Sequence, residues 1–106
     1  MHHLGSLEEM ILLVVAVMHN EAYGVSITKE YNEQAGQSIS LSAVHTVLRR
    51  LEQKGFISSE MGAATAERGG RRKRLYTITR YGLTTLESIQ ESRASLWKRI
   101  PGFSFN

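Results

Sequence analysis

Between Ser42 and Arg80 a short amphipathic segment ends at Gly55 and gives way to a strand-like run, a glycine-rich loop crowded with arginine, and a second strand-like run. Few folds accommodate that order. A helix followed directly by a hairpin with a cationic tip sets one helix face beside a basic loop, so the helix can enter a DNA groove while the hairpin grips the backbone next to it.

The charge distribution points the same way. From Met1 to Leu48, Lys29 stands against Glu8, Glu9, Glu21, Glu30 and Glu33, a local balance of −4. From Arg49 to Arg80, Arg49, Arg50, Lys54, Arg68, Arg71, Arg72, Lys73, Arg74 and Arg80 stand against Glu52, Glu60 and Glu67, a balance of +6 within a chain whose total is only +3. The basic segment is therefore a patch, and its local field exceeds what the net charge suggests.

At 106 residues the chain is one structural unit near the lower end of sizes that fold on a single core, so a second copy would help bury what one cannot. Without cysteine there is no disulfide framework and no thiolate zinc site, which fits a reducing cytoplasm. The apolar run from Met10 to Met18 is far short of the roughly 20 residues that span a bilayer, so the sequence reads as soluble and intracellular.

Ser6 and Glu9 have capping-box spacing and predict a first helix from there to about His19. Leu7, Ile11, Val14 and Met18 follow one face of it, while Leu12, Leu13, Ala16 and Val17 cover much of the rest. A helix apolar almost all round needs a second partner, and another copy of the chain is the simplest candidate. A second helix is expected over Gly24–Ala35, with Ile27 and Tyr31 inward and Gly36 leaving through a left-handed turn. A third starts at Ser40 or Ser42 and ends at Gly55, with Val44, Val47, Leu48 and Leu51 as its core stripe. Phe56 to Met61 and Leu75 to Ile78 predict a hairpin across the Gly62 to Lys73 loop. Thr79 caps a last helix of about 22 residues, about 33 Å long, whose stripe Leu86, Ile89, Leu96 and Ile100 suits a two-helix seam with Arg93 interrupting it. The fold class is thus mainly α with a small β-hairpin. It is a winged helix-turn-helix over residues 1–80, joined to a C-terminal dimerisation helix and tail over 81–106.

Opposite the core stripe of the third helix, Ser42, His45, Thr46, Arg49 and Gln53 project outward, with Arg50 further round; all are hydrogen-bonding side chains. Arg49 is the candidate for a bidentate contact to guanine, and Arg50 for phosphate. In the loop, Arg68, Arg71, Arg72, Lys73 and Arg74, flanked by glycines that allow close approach, are the candidate phosphate contacts. Leu12, Leu13, Leu86, Ile89, Leu96, Trp97 and Ile100 are the candidate dimer interface. His2 and His3 lie at the terminus, and His19 and His45 belong to different helices without a second ligand at helical spacing, so no metal site is expected. No catalytic constellation or nucleotide loop is present, which argues against an enzyme and against a cofactor.

The chain resembles PadR-family transcriptional regulators over nearly its whole length. The resemblance rests on Leu4-Gly5-Ser6-Leu7-Glu8-Glu9, Tyr23-Gly24, Ile39 to Lys54 with its Leu48-Arg49-Arg50-Leu51-Glu52 centre, and Gly55-Phe56-Ile57. It continues through the wing Gly69-Gly70-Arg71-Arg72-Lys73-Arg74-Leu75-Tyr76 and Ile78-Thr79-Arg80-Tyr81-Gly82. It implies a homodimeric bacterial repressor, cytoplasmic and associated with the nucleoid, whose third helix enters the major groove and whose wing contacts the flanking backbone or minor groove. The length resembles the short subgroup, in which a single C-terminal helix packs against the partner's first helix. There an aromatic residue of that helix can line a cavity for flat molecules, which makes Trp97 the candidate effector contact as well as a packing residue. His45 stands where the family commonly has tyrosine. Two-fold symmetry calls for a pseudo-palindromic operator with the recognition helices about 34 Å apart. The competing reading is a winged-helix interaction module that binds an acidic protein partner. A DNA-binding protein without sequence preference is the third.

Overall fold

The computed structural model describes residues 3–62 and 73–105. Three helices, α1 (Ser6–Val17), α2 (Gly24–Ala35) and α3 (Leu41–Gln53), are followed by strands β1 (Ile57–Met61) and β2 (Arg74–Ile78) and by α4 (Arg80–Lys98). The strands pair antiparallel, Ile57 opposite Ile78 and Met61 opposite Arg74. A third piece of chain joins this hairpin: the Tyr76 amide donates to Ala22 O at 2.9 Å, and Tyr23 bridges Leu75. The α1–α2 connection thus anchors the root of the wing to the helical body.

Where each helix begins follows from its capping groups. The first cap lies one residue earlier than the Ser6–Glu9 spacing predicts: the Gly5 amide donates to Glu8 Oε1 at 2.9 Å, which leaves Glu9 free for another role. Helix α1 ends at Val17 rather than His19. For α2 the observed bounds are those expected, with Gly36 at φ 62°. Ser40 caps α3, its hydroxyl accepting from the Ala43 amide at 3.1 Å, and Gly55 leaves at φ 84°. Thr79 caps α4 by accepting from the Gly82 amide at 3.0 Å. That helix has 19 residues rather than about 22, because it stops short of Pro101 and leaves Ile100 beyond its end.

The core joins Ile11, Leu12 and Val15 of α1, Ile27 of α2, the full Val44–Val47–Leu48–Leu51 stripe of α3, and Phe56. Helix α1 is packed by α2, α3, β2 and α4 of its own chain, which explains why it is apolar on nearly every side. One residue expected at a dimer interface is accordingly internal, Leu12, which is fully buried; Leu86 is largely buried where α4 meets α1 and keeps only an edge on the groove between them. The apolar surplus of α1 is confined to Leu7, Met10, Leu13 and Val17.

Two ion pairs fix α1. Glu8 takes Lys54 Nζ at 2.7 Å, and the same ammonium donates to His3 O at 2.9 Å. Burial pushes the Glu8 carboxyl up, but the Lys54 ammonium, the Gly5 amide and the nearby Arg50 charge outweigh it and hold it below its ordinary value. Glu9, a buried carboxylate, is paired by both guanidinium nitrogens of Arg93, Nη2 donating to Oε1 at 2.9 Å. This explains why a cation interrupts the apolar stripe of α4. Removing one partner of a buried pair costs about 3–5 kcal/mol, but the Arg93 side chain is 64% exposed, so screening by water lowers the expected cost of Arg93→Ala to about 1–3 kcal/mol. Urea denaturation of that variant checks the value, and Glu9→Met/Arg93→Met should recover most of the loss.

Candidate nucleic-acid interface

Helix α3 buries one stripe and offers the other to solvent. Ser42, His45, Thr46, Arg49, Arg50 and Gln53 are all exposed, as the 100° spacing predicts. Thr46 Oγ1 donates to Ser42 O at 3.1 Å, while the Arg49 and Arg50 guanidinium groups diverge. Arg49 lines a cleft with His45, Glu52, Arg74 and Tyr76. Arg50 lies round the helix, close enough for its charge to act on Glu8.

The wing is tied to this helix by side chains. Arg74 Nη1 donates to Ser59 Oγ at 3.0 Å, and the Ser59 hydroxyl donates to Glu52 Oε2 at 2.8 Å. Strand β2 is thereby held in a fixed place beside α3, and Arg74 with it. Lys73 extends its ammonium over the Tyr23 ring, 5.1 Å from the centroid. Such a contact is worth about 0.5–1 kcal/mol at an exposed site, enough to bias the direction of a flexible chain. Arg49, Lys73 and Arg74 therefore gather on one side, at the junction of α2, α3 and the wing.

A second cleft, of about 370 Å³, opens at this junction, with Tyr23, His45, Lys29, Lys73, Arg74 and Tyr76 in its walls. The first turn of α2 rests on the imidazole at Gly24, where a Cβ would lie 2.9 Å from His45 Cε1, so a larger residue there would turn the exposed His45 side chain aside. His45 is thus both a packing contact between α2 and α3 and part of the outward face. Burial pushes the Tyr76 phenol above the ordinary tyrosine range, with Arg74 and Arg49 opposing and Glu52 assisting, so it is a hydroxyl donor at neutral pH. Tyr23, Lys29 and Tyr76 were not legible as site residues, because nothing in their local spacing shows that the α1–α2 connection joins the wing.

Not every predicted cation belongs to the patch. Lys54 is turned inward by Glu8. Arg68, Arg71 and Arg72 lie outside the described residues. Of the expected C-terminal interface residues, Ile89 is half-buried against the core, whereas Leu96 and Trp97 of α4 and Ile100 just beyond it are exposed. Among the described residues, no helix is long and apolar enough to cross a membrane.

A helix-turn-helix whose second helix presents a polar face, followed by a two-stranded wing with cations where its strands meet the loop, defines a winged helix-turn-helix domain of the kind used by DNA-binding transcriptional regulators. Residues 11–88 match the Transcriptional regulator PadR-like family, and the chain belongs to that family. No curated protein sequence matches it significantly. Among solved structures, a PadR-like transcriptional regulator from Bacillus cereus is 24% identical, covering 87% of this chain and 84% of that one at a TM-score of 0.70. A PadR family regulator from Clostridium difficile is 24% identical, covering 89% and 93% at 0.69. A transcriptional regulator from Thermoplasma acidophilum is 19% identical, covering 92% and 97% at 0.64.

Proposed function

We propose that this chain is a cytoplasmic bacterial repressor that binds a pseudo-palindromic operator as a homodimer, with α3 in the major groove and the wing on the adjacent backbone. The observation that carries this reading is the convergence of Arg49 on α3 with Arg74 and Lys73 of the wing, held there by the Arg74–Ser59–Glu52 chain and by Tyr23. Phosphate contacts fix register and base contacts select sequence. Arg50, Lys73 and Arg74, with Arg68, Arg71 and Arg72 of the loop, are assigned to the backbone. Ser42, His45, Thr46, Arg49 and Gln53 are assigned to the groove.

Fluorescence anisotropy against duplex from upstream of the protein's own gene, beside random duplex of equal length, tests the proposal. Binding to the upstream duplex should be at least 10³-fold tighter; equal affinity for both would leave only non-specific binding. In Arg49→Ala the preference should fall by about 1–3 kcal/mol, the worth of one bidentate guanine contact. Equal losses on both duplexes would move Arg49 to the backbone.

Dimerisation is assigned to Leu13 of α1 with Ile89, Leu96 and Trp97 of α4 and Ile100 just beyond it. Trp97, 76% exposed and the single tryptophan of the chain, is also the surface on which we place a flat aromatic effector between the two copies. Planar aromatic compounds should quench its fluorescence and release the operator. Unchanged emission across a broad panel would remove the effector from the proposal.

A further inference from the structure

Five large apolar side chains crowd the last stretch of the molecule, with Leu96, Trp97, Ile100, Phe103 and Phe105 each 50–87% exposed. The Phe103 and Phe105 rings lie 5.8 Å apart and tilted. Helix α4 buries only Gly82 and Leu86, both near its start, so apart from the Arg93–Glu9 pair the apolar side chains of its outer half stay uncovered. Contiguous exposed apolar surface of this kind marks an interaction site. The molecule also offers an apolar groove between α1 and the first half of α4, lined by Leu13, Ala16, Val17, Leu83, Leu86 and Ile89 and edged by Glu87.

We propose that the segment after the last helix, Pro101–Phe105, is an aromatic clasp that closes over this groove on a second copy of the chain, Phe103 seating against Leu83 and Val17. The inference rests on the homodimer reading above and adds to it a segment beyond the helix. Phe103 cannot reach the Leu83 end of its own chain's groove. From Lys98 back to Leu83 is fifteen helical residues, about 22 Å, whereas the five residues from Lys98 to Phe103 span at most about 18 Å fully extended.

A single antiparallel register satisfies both copies. With Leu86 opposite Ile100 and Ile89 opposite Trp97, the apolar positions of the outer half meet those of the inner half, and the tail beyond the helix is brought to the Leu83 end of the groove. The two-fold axis then falls at Arg93, where two like charges would meet were each not already held by Glu9 of its own chain. Lys98 of one copy comes beside Glu87 of the other, so the charges at the edge are complementary as well. Pro101 is what turns the chain out of the helix and toward the mouth of the groove. An isologous contact makes the clasp twice per dimer.

Sedimentation equilibrium on the full chain and on Phe103→Ser/Phe105→Ser, both verified as folded by circular dichroism, tests the clasp. The full chain should be dimeric, and the double variant's dimer dissociation constant should rise at least tenfold. An unchanged constant overturns the clasp while leaving a dimer built on α4; a monomeric full chain overturns the homodimer reading itself, and the clasp with it. The absence of cysteine from the sequence permits a check of register. Under mild oxidation Leu83→Cys/Phe103→Cys should give covalent dimers and Phe103→Cys alone should not; no covalent dimer from the double variant overturns the seating of Phe103.

Discussion

Raising salt from about 50 mM to about 200 mM should weaken binding to operator duplex about 10³-fold, because in the proposed homodimer Arg50, Lys73 and Arg74 of each copy would make about six phosphate contacts, for a log–log slope near −5. Arginines at 68, 71 and 72 would steepen the slope further. The measurement is a set of anisotropy titrations across that range. It separates the readings sharply: an acidic protein partner met at the polar face of α3 would release few counterions, and a nearly flat dependence would remove the phosphate role of the wing. Lys73→Ala should lower the slope magnitude by about 2, one contact per copy, and weaken operator and random duplex alike.

Gly82→Ala should destabilise the chain by about 3 kcal/mol, against what helix propensity predicts. Gly82 sits in the first turn of α4, where alanine is ordinarily favoured over glycine by about 1 kcal/mol. Here the added Cβ would fall 2.2 Å from Phe56 O and 2.9 Å from Ile78 Cγ1. A carbonyl oxygen cannot give way without moving the backbone, and forced overpacking costs about 1–3 kcal/mol or somewhat more. Sterics therefore win. The site is tightly knit: the Thr79 hydroxyl lies 2.7 Å from Gly55 O and 3.0 Å from Phe56 O, the Thr79 amide donates to Phe56 O at 3.0 Å, and the Phe56 and Tyr81 rings stack at 4.8 Å. Thermal unfolding checks the prediction, and a variant as stable as the parent would show that α4 can shift away from Phe56.

Local chemistry was legible in the sequence wherever it decides the outcome. The bounds of α2, its left-handed exit at Gly36, the buried stripe of α3 and the Thr79 cap all follow from patterns within a few residues. So does the outward face that carries Arg49. What could not be read is whatever depends on partners distant in sequence. Glu9 looks like a capping residue until Arg93, 84 positions away, claims it and passes the cap to Gly5 and Glu8. Leu12 looks like surplus apolar surface until four elements are seen to surround α1. Lys54 counts toward a basic patch until Glu8 turns it inward, and Tyr23 and Tyr76 acquire a place in the cleft only when the α1–α2 connection meets β2.

The bonds that fasten Thr79 to Gly55 and Phe56 join the end of one helix to the root of another, so a tilt of α4 about that knot would be passed to α3. An arm of 19 residues is about 28 Å long, and tilting it by about 10° carries its tip about 5 Å. The other arm, α3, has 13 residues and is about 20 Å long, so the same tilt would carry its far end about 3 Å, close to the 3.4 Å between successive base pairs along one strand. A swing of the far tip of α4 would therefore shift the outward face of α3 by nearly one base-pair step.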